Sequence, residues 1–179
     1  MNVDSALEEE EEDSTLYESV NKLKFTLACK IIDDYIQESD HPNYCVLDSQ
    51  LKPDILLSDY MIMVIKNTKT PHPLLHLCHA INYMGRYLRI CKFELTAFNA
   101  HRLALTALLL TRKQLDDCLA KVNKLYAKKG GVSLREINIL ESHLFNVLVS
   151  SHLHVSYEDI KRLYMNLITS FRKENKSKS

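Results

Sequence analysis

The chain has 179 residues, with 23 basic and 23 acidic side chains and a formal net charge of zero. That balance excludes the broad positive field on which most nucleic-acid binders depend. Three glycines, four prolines and no tryptophan leave too little turn chemistry for a sandwich or barrel; the composition points to one all-α domain with a sizeable core.

The N-terminal stretch 1–15 carries an unbroken acidic run from Glu8 to Asp13 and reads as a solvated, poorly ordered arm. From about Leu16 to Gln37, Leu16, Val20, Leu23, Leu27, Ile31 and Tyr35 recur at helical spacing, which predicts one helix. Residues 40–52 form a linker rich in Asp, Asn and Pro. A helix is expected from about Pro53 to Asn67, with Pro53 in its first turn. Thr70-Pro-His-Pro73 breaks the chain. The next helix, about Pro73 to Arg89, shows a face of Leu74, Leu77, Ile81, Met84 and Leu88. A third, about Thr96 to Asp116, is apolar nearly all round between Leu103 and Leu110, so other helices should surround it.

A shorter helix is expected over Cys118 to Lys128, stopped by Gly130-Gly131, because glycine accepts the left-handed conformation of a helix stop. Ser133-Leu-Arg-Glu136 has the form of a capping box opening a helix to about Val149. A last helix should start near Ser156 and end near Phe171, followed by a basic polar tail, 173–179.

Two charges stand out on apolar faces. Leu134, Ile137, Leu144 and Leu148 share one side of the capped helix, and Glu141 falls among them. Lys113 follows Leu109 and Leu110 on the most apolar helix. Burying a lone charge costs several kcal/mol. Either Lys113 snorkels to water and Glu141 meets a local cation, or the two sit together at the open end of the bundle as a polar clamp for another protein. Asp116 and Asp117 point different ways on a helix; termination, and acceptors near the Lys128-Lys129 turn, suit them better than paired acids. The Lys121–Lys129 basic run reads as a solvated face. His72, His76 and His79 have the spacing of a metal trio, but His72 precedes Pro73 and falls at the helix boundary. Phosphate loops, nucleophile elbows and metalloprotease motifs are missing from the sequence.

Five cysteines, Cys29, Cys45, Cys78, Cys91 and Cys118, are odd in number and widely spaced. They read as reduced thiols of an intracellular protein, cytoplasmic or nuclear. There is no signal-peptide pattern and no apolar run approaching the ~20 residues of a membrane span.

Four motifs in order then carry a resemblance. Phe98-Asn-Ala-His-Arg-Leu103, Lys113-Gln-Leu-Asp-Asp117, Tyr126-Ala-Lys-Lys-Gly-Gly-Val-Ser133 and Asn138-Ile-Leu-Glu141 resemble the cyclin box of the phosphate-regulatory, P-type or U-type single-box cyclins. Ser58-Asp-Tyr60 and Asn82-Tyr-Met-Gly-Arg86 extend the likeness more weakly. The resemblance implies a five-helix cyclin fold over 53–150 around a central apolar helix, flanked by an N-terminal helix and linker (16–52) and a C-terminal helix (151–172). It also implies a non-catalytic regulatory subunit that binds and activates a cyclin-dependent Ser/Thr kinase. Kinase substrates or inhibitors are further expected partners; nucleic acid, membrane, metal and cofactor are not. A scaffold of the same fold acting in transcription is the alternative.

By the resemblance, Lys113 and Glu141 hold main-chain groups at the start of the kinase's mobile helix, and Gln114, Asp117 and Ser150 fall on the kinase-binding face. His101, Arg102, Tyr126, Gly130 and Gly131 match structural positions of the motif. This chain departs from the pattern in four places. Met63 and Gly85 replace the two members of an internal Arg–Asp ion pair, and Gln114 and Ser150 replace aromatic residues.

Overall fold

The computed structural model describes residues 32–40, 45–116, 121–150 and 153–177. Six helices account for most of them: α1 Leu57–Asn67, α2 Pro73–Cys91, α3 Ala100–Leu115, α4 Val122–Gly130, α5 Leu134–Val149 and α6 Tyr157–Ser177. The architecture is the expected all-α one; among the described residues the only extended pairing is an isolated bridge between Gln37 and Thr96.

Helix α3 is the hub. It packs against α1, α2, α4 and α5, and every residue from Leu103 through Thr111 is buried. The hydroxyl of Thr106 survives there because it donates 2.7 Å back to the Arg102 carbonyl. On α2 the buried face lies further round than expected. Tyr83 and Tyr87 are among its most buried side chains, with His76 and His79 also enclosed, while Leu74, Ile81 and Leu88 are only partly buried. Tyr and His have polar tips, so apolar spacing alone undercounts them. Three sulfhydryls within the described residues, Cys45, Cys78 and Cys91, are free; Cys29 and Cys118 lie outside those residues.

Several boundaries move, each for a local reason. The arm 1–15 and most of the first expected helix lie outside the described residues. Helical structure there ends at Asp33, not Gln37, and Tyr35 is exposed. Tertiary contacts draw the chain out: the Gln37 amide donates to the Leu95 carbonyl (2.7 Å), and the Asp33 carboxylate accepts from the Ser58 amide (2.9 Å). The Asp33 bond also explains why α1 starts at Leu57 and leaves Pro53 outside. Leu56 offers no capping group, so the free amide of the first turn is satisfied from a distant segment. Helix α3 starts at Ala100, four residues later than expected, because the Asn99 side chain accepts from the Thr96 amide (3.0 Å) and closes a turn. Before α4, Lys121 is left-handed (φ 78°), and the helix starts at Val122 rather than Cys118.

The two capping boxes differ. At α6 the box is complete: the Asp159 amide donates to Ser156 Oγ (3.1 Å) and the Asp159 carboxylate accepts from the Ser156 amide (3.3 Å). At α5 the Glu136 amide donates to Ser133 Oγ (3.0 Å), but the Glu136 carboxylate pairs instead with Arg102 at 2.5 Å. Helix α6 continues to Ser177, past the expected stop near Phe171. The segment Arg172-Lys-Glu-Asn-Lys176 contains neither Gly nor Pro to end it. No helix among the described residues is long and apolar enough to cross a membrane.

Candidate functional site

The site forms where the C-terminal end of α3, the first turn of α4 and the middle of α5 converge. Lys113 lies in the last turn of α3, where a cation meets the negative end of the helix dipole. Its Nζ lies 2.5 Å from Glu141 Oε1. The pair is neither sealed nor fully solvated: the lysine side chain is 31% exposed and the glutamate 16%. Asn123, from the start of α4, donates through Nδ2 to the other carboxylate oxygen, Glu141 Oε2, at 2.6 Å. The same nitrogen donates to Asn138 Oδ1 at 2.8 Å.

The buried stripe of α5 is Ile137, Leu140, Leu144 and Leu148. Leu134, expected in it, is 46% exposed, and Leu140 was not among the expected positions. Glu141 therefore sits at the edge of the buried stripe, not within it. One and two turns further along, Phe145 and Val149 are 41% and 50% exposed. An apolar ledge thus runs along α5 beside the carboxylate.

The other expected contact residues divide. Gln114 is exposed. Ser150 caps α5, exposed, its hydroxyl donating 2.6 Å to the Val147 carbonyl. Asp117 lies outside the described residues. Asp116 does not serve the Lys128-Lys129 turn. Its Oδ2 accepts from Arg112 Nε (2.8 Å) and lies 3.1 Å from His76 Nε2. That occupies His76, while His72 stands outside α2 in a left-handed conformation (φ 47°). The described residues contain no group of three His, Cys, Asp or Glu able to hold a metal ion.

The motif residues form the scaffold behind the clamp. His101 Nε2 meets the Ile55 carbonyl at 2.8 Å, and its ring packs edge-on against Tyr60. Burial holds the His101 imidazole below its ordinary pKa, so it donates as the neutral ring. Arg102 bridges the Asp48 carbonyl and the Glu136 carboxylate, tying the loop before α1 to the start of α5. Tyr126 is fully enclosed, and burial raises its pKa. Gly130 is the last residue of α4, and Gly131 (φ 75°) turns the chain away. At the missing ion-pair positions, Met63 packs against the core, and a Cβ at Gly85 would meet no atom within 4 Å. Both charges are gone, and no unpaired one is left behind.

Sequence reading missed Asn123. It belongs to no periodic stripe, and its role needs the α4–α5 turn to bring it to Glu141, 18 residues on.

Comparison with known proteins gives a consistent picture. A family model described as Cyclin matches residues 4–150. Cyclin-U3-1 of Arabidopsis thaliana is 30% identical over 116 residues, covering 65% of this chain and 51% of that protein. Two proteins of Saccharomyces cerevisiae also match. PHO85 cyclin-7 is 39% identical over 79 residues (44% of this chain, 27% of that protein), and PHO85 cyclin PHO80 is 34% identical over 95 residues (52% and 31%). The chain spans about half the length of the plant relatives it matches.

Proposed function

The chain belongs to the cyclin family, and from that premise we propose that it is the non-catalytic regulatory subunit of a cyclin-dependent Ser/Thr protein kinase. The observation that carries this reading is the half-exposed Lys113–Glu141 pair beside the apolar ledge of Phe145 and Val149. An ammonium donates and a carboxylate accepts, so together they suit a main-chain carbonyl and amide of a partner. The first amides of a helix have no intrahelical acceptor, and the positive end of its dipole favours a carboxylate. A kinase helix presented by its N-terminus satisfies both demands.

The subunit acts by binding the active arrangement of the kinase better than the inactive one. A preference of ~5.5 kcal/mol moves a population from 1:99 to 99:1. Holding the mobile helix inward lets its glutamate pair with the ATP-binding lysine. The exposed amide of Gln114 and hydroxyl of Ser150 make this face more polar than the family pattern, which selects among kinases.

The names of the two yeast relatives make PHO85 the first kinase to test. The purified chain is mixed with PHO85 and a set of other cyclin-dependent kinases, and phosphorylation of a peptide substrate is followed. Activation of one kinase by wild type, lost in the Lys113→Ala, Glu141→Ala double variant, is expected. Equal activation by both proteins, or none by wild type, sinks the reading.

A further inference from the structure

We infer that Asn123 is the positioning residue of this docking site, fixing the Glu141 carboxylate in the orientation a kinase must meet. The inference rests on the kinase-binding reading above. A glutamate at a helix edge has three side-chain torsions to lose when a partner binds. Here both oxygens are already held, from two different helices. Lys113 of α3 holds Oε1 at 2.5 Å, and Asn123 of α4 holds Oε2 at 2.6 Å. The torsional freedom is surrendered on folding rather than on binding, so the docking surface is preorganised.

The direction of the Asn123 amide follows from its neighbours. Turned over, it would set a carbonyl oxygen against Glu141 Oε2 and Asn138 Oδ1, which are acceptors. Its two N–H groups are therefore committed, one to the carboxylate and one to Asn138. Asn138 acts as the lock that keeps the amide from rotating. Each Glu141 oxygen takes one internal hydrogen bond and retains acceptor capacity for a partner amide.

Asn123→Asp makes the decisive variant. It keeps the shape and removes both donors. In the first turn of α4 an acidic residue suits the helix dipole, so the helix itself tolerates the change. A purely structural role would leave this variant unaltered. A positioning role predicts loss of Glu141 orientation, now with like charges facing each other.

The experiment measures affinity for PHO85 and the same set of kinases by calorimetry, with thermal melts as the control for folding. The variants are Asn123→Asp, Asn123→Ala, Glu141→Ala and the Asn123→Ala, Glu141→Ala pair. Both Asn123 variants should bind about tenfold or more weakly at little change in melting temperature. The paired variant should bind no more weakly than Glu141→Ala alone, because Asn123 acts through Glu141. Wild-type affinity in Asn123→Asp, or a loss that adds in full to that of Glu141→Ala, overturns the inference and leaves the kinase reading standing. If wild type binds none of the kinases, the kinase reading falls, and this inference falls with it.

Discussion

The hydroxyl of Tyr60 in α1 donates 2.8 Å to the carbonyl of Gly130, the last residue of α4. Two elements 70 residues apart in sequence are joined at one buried point. The phenol pKa is driven up, first by burial, so the group stays a neutral donor. Tyr60→Phe removes the donor and leaves a buried carbonyl unpaired, which costs about 1–3 kcal/mol. Urea unfolding of the variant should show that loss; an unchanged midpoint would mean water replaces the bond.

The same glycine admits nothing larger. A Cβ at Gly130 would come within 2.4 Å of Leu105 Cδ1 in the central helix. Gly130→Ala should therefore overpack the α3–α4 contact and cost about 1–3 kcal/mol. Gly131 is sensitive for a different reason. A Cβ there meets no atom, but its φ of 75° strains any L side chain. Gly131→Ala should cost about 1–2 kcal/mol, and Gly131→Asn less, because Asn tolerates the left-handed region. If Asn is as damaging as Ala at 131, strain is not the cause.

Stability should fall in mild acid. His79 is 7% exposed, and burial, then His76, His154 and Arg86, push its pKa from 6.5 down to about 4. The unfolded chain binds its proton near the ordinary value. Between those two values the unfolded state holds more protons, so folding weakens as pH drops from about 6.5 to about 4. The full contribution is present above that window. His101 is shifted in the same direction. Asp159 is shifted below 3.8 by its Ser156 hydrogen bonds, so its own loss comes at lower pH. Urea midpoints measured across the window should decline in wild type and decline less in His79→Gln. A flat wild-type profile would contradict the assignment.

Element types were legible because the signals were local. The Leu103–Leu110 run announced a surrounded helix, Ser133 and Ser156 announced helix starts, and Gly131 announced a stop. What escaped was decided at long range. Asp33 sets the start of α1 from 25 residues away, and Arg102 diverts the Glu136 carboxylate from its own capping box. The clamp divides along the same line. Charges on apolar faces drew attention to Lys113 and Glu141. Asn123 is an ordinary polar residue on a short helix and carries no such anomaly. Asp116 was misassigned because Arg112, one turn back, and His76, 40 residues away, both reach it before any lysine of α4.

Stability and activation should separate at the clamp. The Lys113–Glu141 pair is partly exposed, so breaking it in the free protein should cost about 0–1 kcal/mol. In a complex, truncating one partner of a buried, hydrogen-bonded charge pair costs about 2–5 kcal/mol, or roughly thirty-fold and more in affinity. Lys113→Ala and Glu141→Ala should melt near wild type yet fail to activate a kinase. The exchange variant, Lys113→Glu with Glu141→Lys, tests the chemistry more sharply. It restores an ion pair but sets an ammonium against the Asn123 amide and inverts the donor and acceptor offered to a partner's main chain. Melting should stay close to wild type, while kinase activity measured with a peptide substrate stays at the level of the kinase alone. Activation by the exchange variant would show that net attraction, rather than the direction of the hydrogen bonds, is what the partner reads.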